Sequence, residues 1–101
     1  MSLKAAFIFI SPEGNADIHH ADVCTDSVSV TTCAVNSYQA ACDLAIRLVN
    51  QGTVAIELCG GFGIEGVAAV KRAVEGKAVV GVVRFDHHPG LQHQSGDSLF
   101  S

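Results

Sequence analysis

The stretch Val54–Gly63, "VAIELCGGFG", decides the fold class. Its first half is a strand-length apolar run, and its second half is a glycine turn that opens into a helical pattern. Strand, tight turn and helix in that order form one step of a parallel α/β sheet. The run also carries an acid, Glu57, and a thiol, Cys59, where an apolar strand meets the glycines. We read this turn as one wall of a small-molecule site.

Working outward, the pattern predicts a helix from Gly63 to about Glu75, with Val67, Val70 and Val74 inward and Gly76 as its stop. "AVVGVVRF", Ala78–Phe85, follows as the last strand. Upstream, Ser37 to about Gln51 reads as a helix with an apolar stripe of Ala41, Leu44, Ala45, Leu48 and Val49. Asn36 with Gln39 resembles a capping box there, Asp43 and Arg47 form an i,i+4 pair, and Gly52 ends the helix. "SVSVTTCAV", Ser27–Val35, alternates, as a half-buried edge strand does. "KAAFIFI", Lys4–Ile10, is apolar throughout and reads as a strand buried on both faces. Between these two strands, Asn15 to about Val23 reads as a short helix capped by Asn15, with Ile18 and Val23 inward.

The expectation is therefore an α/β fold: a four-stranded, mainly parallel sheet of order 2-1-3-4, half of a flavodoxin-like fold, with two to three helices. A rival arrangement is a segment of barrel completed by further subunits. Residues 1–101 form one domain, and 86–101 are an irregular C-terminal tail that ends in Leu99 and Phe100. Such a tail either lids the strand ends or swaps onto a neighbouring subunit.

Composition limits the function classes. Charged residues make up 16% and hydrophobic ones 49%, too little polar surface to cover a small sphere, so a homo-oligomer is expected. A formal charge of −4 speaks against nucleic acid, which demands a basic face. No apolar run approaches the ~20 residues of a membrane span. No secretory signal precedes the first strand, so a cytoplasmic setting is expected. There the four cysteines, none spaced as C-x-x-C, stay reduced.

In open parallel sheets, ligands settle at the carboxyl ends of strands where the winding reverses. The walls would be Ser11–Gly14 and Cys59–Gly63, with Arg84–His88 alongside. Gly60, Gly61, Phe62 and Gly63 lead into a helix whose free amides suit a small anion; a tight turn also needs glycine with nothing bound. "GGFG" is neither a dinucleotide fingerprint nor a phosphate loop, so no cofactor is legible. Cys59 precedes a helix N-terminus, where a thiol gains nucleophilicity, although a small buried cysteine is the alternative. Glu57 and Arg84 are expected to pair across neighbouring strands, or to divide into an acid–base group and a carboxylate clamp. Cys59, Glu57 and Asp86 are thus the candidate catalytic groups. Ser11, Gly60–Gly63, Arg84 and His87 are the candidate ligand-binding ones. Asp86, His87 and His88, with His93 and Glu57, raise the question of a metal, but no recognised spacing appears and the histidines read better as surface residues.

The motifs "AIELCGGFG…EGV", "VGVVRFDHHPG" and "SGDSLF" resemble a family of short bacterial proteins known as a domain of unknown function. The resemblance runs nearly end to end, from "KAAFIFISP" to "SLF". It implies a stand-alone protein of this length and transfers no activity or residue roles. The functional expectation is a small protein that binds an anionic metabolite at the strand ends, and whether it is an enzyme stays open. The alternative is a non-catalytic oligomeric interaction module.

Overall fold

The computed structural model describes residues 2–85 and 87–101. Five strands form one mixed sheet: β1 (Leu3–Ile10), β2 (His20–Cys24), β3 (Val28–Val35), β4 (Ala55–Leu58) and β5 (Val79–Val82), in the order β2-β3-β1-β4-β5. β3, β1, β4 and β5 run parallel, and β2 lies antiparallel along the outside of β3. Helices α1 (Tyr38–Asn50) and α2 (Ile64–Val74) make the crossovers from β3 to β4 and from β4 to β5. The tail forms a 3₁₀ turn, Pro89–Leu91, and a short helix α3, Gly96–Phe100.

The four-stranded, mainly parallel expectation is matched only roughly, and the difference lies in one segment. Residues 20–24 are a strand where the sequence suggests the end of a helix. Thr25 closes a hairpin into β3: its amide donates to the Val28 carbonyl (2.7 Å), and its hydroxyl oxygen accepts from the Val28 amide (3.1 Å). The expected Ser27–Val35 edge strand is accordingly one strand in from the edge.

That substitution has a large consequence. Both crossovers step in the same direction across the sheet, so right-handedness puts α1 and α2 on the same face. A helix between β1 and β3 would step the other way and cover the opposite face. Because the connection is a strand instead, that face carries no helix. The expectation that β1 is buried on both faces fails for this reason: Ala6 and Ile8 are sealed beneath the helices, while Phe9 on the other face is 36% exposed.

The core lies between the sheet and the two helices. Ile8, Cys33, Val35, Ile56 and Leu58 meet Ala41, Leu44, Ala45 and Leu48 from α1 and Val70 and Val74 from α2. The apolar stripes recur at helical spacing, as expected. The cap of α1 is Ser37, one residue later than the sequence suggests; its hydroxyl oxygen accepts from the Ala40 amide at 3.1 Å. Arg47 reaches Asp17 at 3.6 Å rather than Asp43, which instead accepts from the Gln39 side chain at 3.0 Å. Gly14 lets the Ser11–His19 connection cross directly over the end of β3, since a Cβ there would collide with the Val35 backbone. No described helix is long and apolar enough to cross a membrane.

Candidate functional site

At the carboxyl ends of the parallel strands two clefts lie side by side under the tail. The larger, about 780 Å³, sits over the ends of β1, β3 and β4, where the connections diverge. Its walls include Ser11, Asn36, Cys59 and Gly61, and the tail residues Leu91 and Phe100 roof it. The smaller, about 290 Å³, lies over the ends of β4 and β5, with Gly60, Gly63, Arg84, Phe85, His93 and Asp97 in its lining. His88 and Gln94 line both clefts and stand between them.

The turn after β4 is rigidly filled. The Phe62 amide donates to the Cys59 carbonyl (3.0 Å), and the Gly61 amide to Cys59 Sγ (3.3 Å). Phe62 turns its ring into the core, 2% exposed, where it stacks on Tyr38 at 5.6 Å between centroids. Phe62 therefore shapes the floor of the smaller cleft. Gly60 and Gly61 need their small size here: a Cβ would strike the Phe85 ring at the first and the Ile10 side chain at the second.

Of the turn amides expected to receive an anion, those of Gly61 and Phe62 bond to Cys59 and that of Gly63 to the Tyr38 hydroxyl. The amides further along, at the start of α2, already hold an anion that the chain itself supplies. Asp97 of α3 accepts from the Glu65 amide (3.1 Å), the Gly66 amide (3.2 Å) and the Tyr38 hydroxyl (2.8 Å). The same hydroxyl oxygen accepts from the Gly63 amide at 3.0 Å. The positive end of α2 is thus capped by a carboxylate from the tail. Burial alone would raise the Asp97 pKa. The amides of Glu65, Gly66 and Ile64 and the Tyr38 hydroxyl outweigh that and hold it below the ordinary carboxylate range. Burial, with Asp97 beside it, pushes the Tyr38 phenol well above its ordinary value despite the opposing Gly63 amide, so it stays protonated and donates.

The remaining candidates separate. Glu57 and Arg84 do not pair: Glu57 sits on the helix-free face, in register with Gly81, while Arg84 follows β5 into the smaller cleft on the other side. The reason is register: Glu57 lies opposite Gly81, three residues before Arg84, and that odd offset, together with the end of β5 at Val82, leaves the two side chains on opposite sides. Glu57 lines neither cleft, so the acid and the Cys59 thiol face different surroundings. Cys59 and Ser11 do share the larger cleft, where the Ser11 hydroxyl donates to Glu13 at 3.1 Å. His87 is exposed beside His93, with ring centroids 5.7 Å apart, and lines neither cleft. Asp86 lies outside the described residues. Among those described, no group of three His, Cys, Asp or Glu side chains is placed to hold a metal ion.

His88, read from the sequence as a surface residue, is central instead. Its Nδ1 accepts from the Gly90 amide at 3.0 Å, so in the neutral ring Nε2 carries the proton. The ring also lies 4.8 Å from Phe85. Tyr38 and Asp97 carry no local signal as a pair, being 59 residues apart. The "SGDS" run does: Ser95 followed two residues later by Asp97 is a helix-start signature, and Ser95 Oγ accepts from the Asp97 amide at 3.1 Å.

A family model described as "Family of unknown function (DUF6506)" matches residues 3–98. The chain belongs to that family. No curated protein and no solved structure matches it. The DUF6506 match runs from the first residue of β1 to Ser98, and so takes in the smaller cleft, the Asp97 contact and most of the larger cleft, whose roof residue Phe100 lies past the matched span.

Proposed function

We propose that this DUF6506 protein binds a small anionic metabolite, in the cytoplasm, at the carboxyl ends of its parallel strands. The observation that carries the reading is the pair of adjoining clefts beneath the tail, with Arg84 in one, Cys59 and Ser11 in the other, and His88 between. Arg84 is the fixed cation and offers a planar fork to a carboxylate or phosphate. His88 supplies an N–H donor at Nε2, its Nδ1 being taken by the Gly90 amide. The larger cleft, roofed by Leu91 and Phe100, takes the less polar body of the ligand. Cys59 is the one thiol lining that cleft, beside the Ser11 hydroxyl; Glu57 has no part in the site. The four free cysteines suit a reducing compartment.

A thermal-shift screen against inorganic phosphate and short mono- and dicarboxylates tests this. A ligand at about 100 times its Kd adds about 2.7 kcal/mol of stability by mass action. The expected result is a rise in Tm with at least one anion, abolished in Arg84→Ala and reduced in His88→Ala. Stabilisation by several anions that survives Arg84→Ala would overturn the site.

A second reading, a non-catalytic oligomeric interaction module, is favoured by one observation: the apolar, helix-free face of the sheet.

A further inference from the structure

The helix-free face is built to be covered. Strand register places two rows across it: Val23, Val30, Ala5, Ala55, Val79 and, one step further along, Ala21, Thr32, Phe7, Glu57, Gly81. Val23 is 67% exposed and Val79 71%, and Leu3, at 45%, extends the same surface. The polarity of β2 and β3 shows which side is meant to be dry. Their polar residues, His20, Asp22, Ser29 and Thr31, point to the helix side, beyond the reach of the helices, while Ala21, Val23, Val28 and Val30 point to the bare side. A solvent-facing sheet surface would reverse that pattern.

We propose that a second copy of this chain packs on this face, sheet against sheet, around a twofold axis running along β1. β1 is the middle strand of five, so rotation about it exchanges β3 with β4 and β2 with β5. In the first row Val23 meets the partner subunit's Val79, and Val30 meets the partner subunit's Ala55. In the second row Phe7 meets the partner subunit's Phe7, and Ala21 meets the partner subunit's Gly81. Glu57, the one charged side chain in the two rows, meets the partner subunit's Thr32, the one hydroxyl in them. A bare face with a lone acid and no base pairs poorly with an arbitrary apolar partner, whereas its own twofold image gives that acid a hydrogen-bond donor. The small tilt between aligned packed sheets preserves these rows near the axis.

The area is of the right order. Strand spacing and rise give the face about 450 Å² in projection. Exposed side chains that stand out of the plane raise that toward the roughly 800 Å² per partner of a standard dimer. Only 6015 Å² of surface is exposed in total, so the face is a substantial share of it. The dimer leaves both strand-end clefts open at the rim.

This inference deepens the interaction-module reading and is independent of the anion site. Sedimentation equilibrium on the full chain, from micromolar to submillimolar, is expected to show twice the 10.5 kDa chain mass. Val23→Glu changes an exposed position, so the fold, checked by circular dichroism, is retained while dimerisation weakens at least tenfold. Ile46→Glu, on the outer side of α1, leaves the dimer unchanged. In a Cys24→Ser background, Thr32→Cys with Glu57→Cys is expected to form an inter-subunit disulfide on mild oxidation. The two positions cannot bridge within one chain, because β1 lies between them. A monomeric wild type overturns both this inference and the interaction-module reading. An oligomer unmoved by Val23→Glu, or one that it breaks but the cysteine pair does not link, overturns this inference alone.

Discussion

Asp97 and Tyr38 hold the tail to the body of the molecule, and their chemistry sets its response to pH. Because the folded-state pKa of Asp97 is lowered, its contribution is complete above the ordinary carboxylate value of ~3.9 and is lost as pH falls through the folded value. Asp97→Asn is expected to cost about 1–2 kcal/mol at neutral pH, in line with charge-assisted hydrogen bonds. Urea denaturation should show that deficit shrinking as the pH is taken below about 4. Tyr38→Phe removes both the acceptor for the Gly63 amide and a donor to Asp97, at about 1 kcal/mol. Because the two side chains are bonded, the double variant should cost less than the sum of the singles, as a double-mutant cycle would show. None of this is legible at Tyr38 itself, where the sequence shows only a first-turn aromatic of a helix. By contrast, the apolar stripe of α1 is legible residue by residue, because helical periodicity is a local property.

At the scale of elements, the parallel strands and the two long helices follow from apolar runs and glycine stops. β2 does not. "NADIHHADV" offers a plausible cap and two apolar positions, and five residues of alternation are too few to outvote that pattern. What decides is the free edge of β3, a tertiary partner whose unpaired amides and carbonyls capture the segment. The tail is partly legible: its apolar end implies docking, whereas the docking site depends on Gly96. That residue is buried against the Gly61 carbonyl, and a Cβ there would collide with it and crowd the Tyr38 hydroxyl. Gly96→Ala is therefore expected to release the tail while leaving the sheet intact. Limited proteolysis should cut residues 87–95 markedly faster in the variant, with a far-ultraviolet spectrum close to that of the wild type.

For the molecule as a whole, low charge predicts association from composition alone, but not the surface involved. That surface emerges only once β2 is known to be a strand, since a crossover helix there would have covered it. If the helix-free face is the dimer contact, Tm rises with total chain concentration in the wild type and becomes independent of it in Val23→Glu. The candidate site divides in the same way: its location over the strand ends is legible from topology, whereas its partition into two clefts hinged on His88 is not. One consequence of the Asp97 contact reaches beyond stability. Any outside anion seeking the start of α2 meets a rival tethered to the same chain, whose effective concentration is of millimolar order for a short linker. Weak anions lose that contest and are confined to Arg84, while one strong enough to win evicts α3 and unroofs the neighbouring cleft.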